Sequence, residues 1–275
     1  MKTTINTRYI IAAIGIPLLI PVLIFSDTFI LPIVLALFAV FAMYELLVAS
    51  RLLNKWLFSL VTVFYSIACP IAARWWNGLN SVAIMTAIYI LFSVSYSVIS
   101  ENTDILNRFY STVLLIAYAS IGFASLVVIR DTRGTVMLVS TFAIAWLTDS
   151  FAFFAGSAFG KHKLIPRISP HKTVEGAVGG TLLTVIVMMI IYVGVGLFSK
   201  STPNYMPLLF LTLFASLMAQ VGDLVFSQIK RYYKVKDFST LLGEHGGMLD
   251  RFDSMISSAL TIVIFTTVFS TVRLF

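Results

Sequence analysis

A charged segment, residues 227–253, holds the side chains best suited to chemistry in this chain. It contains five of the 19 Lys and Arg residues and four of the 12 Asp and Glu residues within 27 positions. Apolar runs long enough to cross a bilayer flank it on both sides. Closely spaced cations suit phosphate oxygens, and paired carboxylates suit a divalent metal ion. The segment therefore predicts that a phosphorylated substrate is handled at a membrane surface.

Two aspartates of this segment have the spacing of a metal site. Asp250 and Asp253 are three residues apart, which places them on one face of a helix. They repel each other unless a cation lies between them, and Mg²⁺ is the natural candidate because it takes one or two carboxylates together with substrate phosphates. Alternatively, both cap the amino end of a helix, where the dipole favours anions. Asp223, predicted at a similar depth, favours the metal interpretation, and this many carboxylates leave room for a second cation.

Other acidic residues also lie within apolar runs. An ionisable group in a membrane span is costly and is by default a candidate functional residue. At 1.5 Å of rise per helical residue, Asp149 reaches about the same level as Asp223. Glu45 lies near the end of a span without a partner motif, and we expect it to snorkel to the interface.

A glycine pair precedes the two aspartates. Gly246 and Gly247 let the backbone approach a ligand closely and expose amide groups to a phosphate. The predicted helix that follows adds positive potential at its amino end. His245, directly before the glycines, either donates to a phosphate or organises the turn.

A second loop, residues 160–176, combines a cation with a helix start. Lys172 stands beside the amino end of a predicted helix, so an anion there meets both the ammonium group and the helix dipole. Thr173 is predicted to cap that helix, and Glu175 suits its first turn. The earlier lysines of this loop are explained by membrane topology.

The composition indicates a membrane protein. Hydrophobic residues make up 59% of the chain and charged residues 11%, whereas soluble domains carry about 25% charged residues. A spanning helix needs about 20 mostly apolar residues. The predicted fold is therefore an all-α, polytopic membrane protein with about nine transmembrane helices. They are residues 9–26, 29–49, 56–73, 81–99, 110–129, 135–158, 177–198, 207–227 and 254–273.

The basic residues give these spans an orientation. With nine spans, 14 Lys and Arg residues fall on the side of the N-terminus and five on the other. This asymmetry predicts a cytoplasmic N-terminus and an outside C-terminus, with residues 160–176 and 228–253 as the large cytoplasmic loops. The net charge of +7 then reflects topology and attraction to anionic lipid head groups rather than nucleic-acid binding. The single cysteine, Cys69, excludes an internal disulfide and any Cys-based metal cluster.

These patterns divide the chain into two functional parts. Residues 1–134, with five generic apolar spans, are predicted to form a scaffold that gives lipid access. Residues 135–275, with the remaining four spans and both large loops, are predicted to form the catalytic site. The sequence leaves the oligomeric state open, with a homodimer as one expectation.

The charged motifs together resemble those of the phosphatidate cytidylyltransferases, also called CDP-diacylglycerol synthases. The resemblance is strong over about residues 140–255. It is carried by the whole of Ser227–Asp253, including His245-Gly246-Gly247-Met248-x-Asp250-Arg251-x-Asp253, by Asp149-Ser150-Phe151-Ala152, by Ser169-Pro170-x-Lys172-Thr173-x-Glu175-Gly176 and by Gly222-Asp223.

This resemblance implies a reaction and a set of roles. CTP and phosphatidic acid would yield CDP-diacylglycerol and pyrophosphate, with Mg²⁺ required, at the cytoplasmic face of the plasma or inner membrane. The expected catalytic residues are Lys172 and three aspartates that bind metal, Asp223, Asp250 and Asp253. Asp149 and Glu175 are expected to contact these residues and hold them in place without touching the substrate. The expected substrate-binding residues are Ser169, Lys172, Thr173, Lys230, Arg231, Lys236, His245, Gly246, Gly247 and Arg251.

Three other functions compete with this one. A CTP-dependent lipid-alcohol kinase would share CTP, metal and membrane but would make a phosphorylated alcohol. A CDP-alcohol phosphatidyltransferase would carry a longer acidic motif than Asp250-x-x-Asp253. An ion-coupled transporter would place its carboxylates near the bilayer midplane and show paired repeats, neither of which this sequence indicates.

Overall fold

The computed structural model describes residues 20–76, 78–100, 106–199, 202–239, 246–270 and 274–275. Within these ranges the chain forms seven long helices and one two-stranded sheet. The helices are α1 (Ile30–Ala49), α2 (Trp56–Trp75), α3 (Leu79–Ile99), α4 (Leu106–Phe159), α5 (Val174–Ser199), α6 (Tyr205–Tyr233) and α7 (Leu249–Val268). The strands β1 (Lys163–Ile165) and β2 (Ser169–Thr173) lie between α4 and α5 in the chain.

All seven helices are long and apolar enough to cross a membrane. The predicted class, an all-α polytopic membrane protein, is therefore confirmed. The first predicted span, residues 9–26, lies mostly outside the described residues. The count of nine spans and the sides on which the termini lie stay predictions.

Helix α4 contains two of the predicted spans. Its 54 residues would extend about 81 Å as one straight helix, far more than the roughly 30 Å of a bilayer core. The backbone leaves the helical conformation at Gly134, with φ of 82° and ψ of 179°. Positive φ favours glycine because a side chain there would clash with the backbone. The predicted spans 110–129 and 135–158 are therefore separated by a break at this residue.

The helices around the charged segment are longer than their apolar runs. Helix α6 continues to Tyr233, so Lys230 and Arg231 lie in its last turn rather than in a loop. Helix α7 begins at Leu249, five residues before the predicted start, and Asp250 lies in its first turn. Hydropathy detects only the apolar middle of a helix, which is why the predicted loop of residues 228–253 is too long.

The chain divides into two compact units, which are described here separately. Over its described residues, the first comprises Met1–Thr135 and Tyr232–Phe252, and the second Val136–Arg231 and Asp253–Phe275. In the first unit, α2 packs against α1 and α3. The rings of Tyr65 and Tyr89 stack there with centroids 4.3 Å apart. The predicted roles of residues 1–134 and 135–275 stay predictions.

In the second unit, small residues let backbones approach closely. A Cβ on Gly176 would lie 2.8 Å from the carbonyl oxygen of Ala152 and 3.1 Å from the Cα of Gly156. Gly180 likewise faces Ala152. The two small-xxx-small pairs, at 156/160 and 176/180, therefore allow close helix contact.

The hairpin of β1 and β2 is the one element of the described chain that the sequence did not predict. The strands are antiparallel, with Lys163 opposite Thr173 and Ile165 opposite Ser169. Thr173 ends the hairpin directly before α5, and its hydroxyl accepts a hydrogen bond from the Gly176 amide at 3.1 Å. The predicted cap is confirmed, and the hairpin presents Lys172 at the start of α5.

Candidate active site

An ion pair in the second unit lies at the centre of the site. The Nζ of Lys172, on β2, is 2.5 Å from Oδ2 of Asp223, on α6. Both side chains keep about a quarter of their surface exposed, at 28% and 26%. The Ser227 hydroxyl donates to Oδ1 of Asp223 at 3.3 Å. The pair is therefore fixed in place and still accessible.

Two more aspartates of the second unit interact with this pair. Oδ2 of Asp149 accepts a hydrogen bond from the Ser254 hydroxyl at 2.8 Å, and Oδ1 of Asp253 accepts one from the Ser254 amide at 2.7 Å. Asp253 is buried and interacts electrostatically with Asp223 and Asp149. We call Asp149, Lys172, Asp223 and Asp253 the Lys172 cluster. Asp223 and Asp149 thus interact with Lys172, and Asp253 interacts with both of these aspartates.

Close approach of α6 and α7 brings these aspartates together. A Cβ on Gly222 would overlap the Ser257 side chain and come within 2.8 Å of the Asp253 carbonyl oxygen. A glycine directly before Asp223 therefore lets this part of α6 lie against the start of α7 within the second unit.

The Lys172 cluster opens onto a cavity of about 440 Å³. Lys172, Asp223 and Asp149 belong to its wall, and the rest of the wall mixes small and apolar residues. These are Ala152, Phe153, Gly156, Ser157, Leu164, His171, Thr173, Gly176, Ala177 and Gln220. A cavity of this size with a lysine on its wall can hold a phosphate group.

An apolar groove of about 350 Å³ shares part of this wall. Leu164, Ala177 and Gln220 line both spaces. The Gln220 amide donates to the Ala177 carbonyl at 3.1 Å and to the Thr181 hydroxyl at 2.8 Å, which fixes it at the boundary. The groove continues between α5 and α6 along Ile165, Val178, Leu182, Leu217, Val221 and Leu224.

Glu175 holds the base of the hairpin. Its carboxylate accepts hydrogen bonds from the amides of Lys161 and His162 at 3.1 and 3.2 Å, and His162 Nδ1 lies 2.6 Å from Oε1. Glu175 does not belong to the cavity wall. Its contacts fix the hairpin that carries Lys172. Glu175 therefore contributes to the orientation of the Lys172 side chain.

In the first unit, Asp250 binds backbone amides. Its Oδ2 accepts hydrogen bonds from the Gly247 amide at 2.9 Å and the Phe238 amide at 3.0 Å. Gly246 has a φ of 74° and, like Gly247, is buried. Both amides belong to residues that precede α7, so this carboxylate ties the first turn of the helix to the backbone before it. The metal role of Asp250 and the phosphate contacts of the two glycines stay predictions.

The remaining predicted residues lie in varied surroundings. Lys230 is half-buried and interacts electrostatically with Asp253. Arg231 is exposed, with Nε 3.5 Å from the Ile168 carbonyl of the hairpin turn. Lys236 and Arg251 are exposed, and Ser169 begins β2. His245 lies outside the described residues.

The sequence matches the cytidylyltransferase family over residues 6–269, nearly the whole chain. The chain belongs to the cytidylyltransferase family. It is therefore a nucleotidyltransferase, and the resemblance drawn from its charged motifs is confirmed.

Bacterial relatives share this similarity along most of their length. The phosphatidate cytidylyltransferase of Staphylococcus haemolyticus is 34% identical over 262 residues, covering 91% of this chain and 95% of that protein. That of Staphylococcus saprophyticus is 39% identical over 185 residues, or 67% and 68%. That of Bacillus subtilis is 38% identical over 169 residues, or 61% of each. These relatives support a multi-pass membrane location for this cytidylyltransferase.

The donor chemistry of the Lys172 cluster fits a Mg²⁺ ion. Within the described residues, no group of three His, Cys, Asp or Glu side chains forms a metal site by itself. Mg²⁺ needs only one or two carboxylates, since waters and substrate phosphates complete its octahedron. Asp223, in the cavity wall, and Asp253, which interacts with it electrostatically, carry such hard oxygen ligands.

One acidic residue of the cytidylyltransferase lies where the sequence did not place it. Glu45 was expected to snorkel to the interface, but it is only 1% exposed. Its carboxylate binds groups near the start of α7, about 200 residues away in the chain. The signal that marks it is an acidic residue inside an apolar span without a basic neighbour one turn away.

Proposed function

We propose that this cytidylyltransferase transfers CMP from CTP to phosphatidic acid, forming CDP-diacylglycerol and pyrophosphate. The observation that carries the proposal is the Lys172 cluster, in which an accessible lysine and two aspartates, Asp149 and Asp223, border one cavity. The named relatives are phosphatidate cytidylyltransferases, which supports the same substrate pair.

The joined cavity and groove support an amphipathic acceptor. Phosphatidic acid has an anionic head and two acyl chains, so it needs a polar space beside an apolar one. The cavity that holds Lys172 and the apolar groove share Leu164, Ala177 and Gln220. In our proposal the lipid phosphate lies at Lys172, and an acyl chain follows α5 and α6.

The transfer needs no covalent intermediate on the protein. A phosphatidate oxygen attacks the α-phosphorus of CTP, a new P–O bond forms, and the bond to the β-phosphate breaks to release pyrophosphate. Such reactions depend on positioning and on neutralising phosphate charge. Lys172 binds a phosphate, and its ion pair with Asp223 opens as it does so.

The ligands proposed for Mg²⁺ are Asp223 and Asp253, with Asp250 as a further candidate. The bound ion would neutralise phosphate charge and favour departure of pyrophosphate. Asp149 orients the start of α7 through Ser254. Glu175 keeps the hairpin in the position that presents Lys172.

We further propose that the site faces the cytoplasm, where CTP is available. The positive-inside distribution, with 14 basic residues against five, supports this orientation. Accessibility of a cysteine introduced at Lys163 in intact cells and inverted vesicles tests it. A homodimer is a separate proposal, which mass measurement of the detergent-solubilised protein tests.

The reaction is tested with purified protein, phosphatidic acid and cytidine-labelled CTP in detergent, with Mg²⁺ or with excess EDTA. We expect a labelled lipid and an equal amount of pyrophosphate only when Mg²⁺ and phosphatidic acid are both present. Labelled lipid in EDTA would contradict the metal proposal. Absence of labelled lipid in Mg²⁺ would contradict the function, and phosphorylation of diacylglycerol instead would identify a kinase.

A further inference from the structure

A buried carboxylate in the first unit holds the backbone that leads into α7. Glu45, on α1, is 1% exposed. Its Oε1 accepts hydrogen bonds from the Ser239 hydroxyl at 2.6 Å and the Met248 amide at 2.8 Å, and its Oε2 accepts one from the Leu249 amide at 2.9 Å. The first amides of a helix have no partner within it, so a distant side chain satisfies them here.

The backbone at Gly247 approaches the Glu45 carboxylate closely. A Cβ on Gly247 would overlap both carboxylate oxygens of Glu45, so a larger residue at this position would displace the Glu45 carboxylate. The Gly247 amide in turn donates to Asp250 at 2.9 Å. The segment 246–249 is therefore held by two carboxylates, one from α1 and one from the first turn of α7.

We infer that Glu45 is a positioning residue for the cytidylyl transfer, a role that rests on the proposed function. It acts by fixing residues 246–249 and through them the direction of the Asp250 side chain. Hydrogen bonds to an ionised acceptor are shorter and stronger than neutral ones, and the helix dipole adds to them. A carboxylate satisfies all three donors at once, which an amide of the same shape does not.

The substitution Glu45→Gln isolates this function. Glutamine keeps the size of the side chain but turns one acceptor oxygen into a donor, so at least one contact of the set becomes unfavourable. Because small displacements of reacting groups cost about 100-fold in rate, we expect kcat to fall by about 100-fold. KM for CTP and phosphatidic acid should stay within about threefold, since neither substrate contacts Glu45 in this proposal.

Two further variants separate positioning from general stability. Glu45→Asp keeps the acceptors on a shorter side chain, so it should recover part of the lost kcat relative to Glu45→Ala. Tyr89→Phe removes another buried hydrogen bond of the first unit, the one between the hydroxyls of Tyr89 and Thr62 at 3.3 Å, and serves as the control. It should lower the unfolding temperature without lowering kcat when all assays are run well below that temperature.

Hydrogen exchange gives a readout that does not depend on turnover. We expect faster exchange in the peptide covering residues 246–253 of Glu45→Gln, with no change there in Tyr89→Phe. Wild-type kcat in Glu45→Gln, equal activities of Glu45→Asp and Glu45→Ala, or unchanged exchange would each overturn the inference. If the wild type makes no labelled lipid at all, the proposed function fails, and with it the catalytic purpose, while exchange still decides whether Glu45 holds the segment.

Discussion

Charged side chains gather among the apolar helices in both units. In one of these groups the cations bind acceptors that belong to the fold itself. In the first unit, Arg74 donates to the carbonyls of Asp27 and Ser26 at 2.6 and 2.7 Å, and its Nε lies 3.0 Å from Oδ2 of Asp131. Arg130 donates to the Ser26 hydroxyl at 2.7 Å. We call Arg74, Arg130, Asp131 and Ser26 the Arg74 cluster. Its cations are matched by acceptors within the fold.

The Lys172 cluster of the second unit differs from the Arg74 cluster in the balance of its charges and in its access to a cavity. Its three acidic groups interact with Lys172 and Lys230, and the ion pair of Lys172 with Asp223 borders a cavity of about 440 Å³. Charge inside a membrane protein is therefore insufficient to mark a functional site. An excess of carboxylates beside an open space indicates binding, whereas cations held by carbonyl, hydroxyl and carboxylate oxygens of the fold indicate structural support.

The largest difference is expected between two aspartate substitutions. Asp223→Asn should lower kcat by roughly 10³-fold, because it removes both the partner of Lys172 and a proposed metal ligand. Asp131→Asn should keep kcat within about twofold. Steady-state formation of labelled lipid measures both. Equal losses in the two variants would show that the Arg74 cluster also serves turnover.

A smaller effect is expected from the cations of the hairpin. Lys172→Gln should lower kcat/KM by about 100-fold, because the phosphate loses its ammonium partner in the cavity. Lys163→Gln, at the exposed start of β1, is the matched control and should leave the kinetics unchanged. A loss of the same size in Lys163→Gln would mean that the hairpin acts through its overall charge.

Glycine positions of the second unit should affect stability more than chemistry. Gly222→Ala forces a Cβ into Ser257 and should destabilise the protein by up to about 3 kcal/mol. Gly194→Ala, where nothing lies within 4 Å, should be neutral or stabilise helix α5 by about 0.5 kcal/mol. Thermal unfolding in detergent compares them. An unaffected Gly222→Ala would contradict the close approach of α6 and α7.

The smallest effect on turnover is expected in the Arg74 cluster itself. Arg74→Met removes two hydrogen bonds and an ion pair, so it should destabilise the protein by about 2 kcal/mol. The kcat per folded molecule should stay at the wild-type value. Activity and unfolding temperature measured on one preparation test this, and a selective loss of kcat would contradict a purely structural role.

The sequence predicted the spans and the acidic residues of the Lys172 cluster. Apolar runs reveal membrane helices directly, and the rare charges inside them, such as Asp149 and Asp223, stand out because burying them is costly. The break at Gly134 could also be predicted, since a polar turn separates two runs there.

The features that the sequence could not predict are contacts between residues far apart in the chain and strands of very few residues. Glu45 binds amides about 200 residues away, and no local pattern encodes such a pairing. The hydrogen bond from Ser254 to Asp149 could not be predicted for the same reason. The strands of the hairpin have three and five residues, too few for an alternating pattern to be recognised.

The position of the transferred phosphorus tests the central claim most directly. Wild-type protein and Asp223→Asn are supplied with phosphatidic acid, Mg²⁺ and CTP labelled at either the α- or the γ-phosphate. We expect the α-label in the lipid and the γ-label in pyrophosphate for the wild type, and almost no lipid label for Asp223→Asn. The γ-label in the lipid, or undiminished α-labelling by Asp223→Asn, would contradict a cytidylyl transfer carried out at the Lys172 cluster.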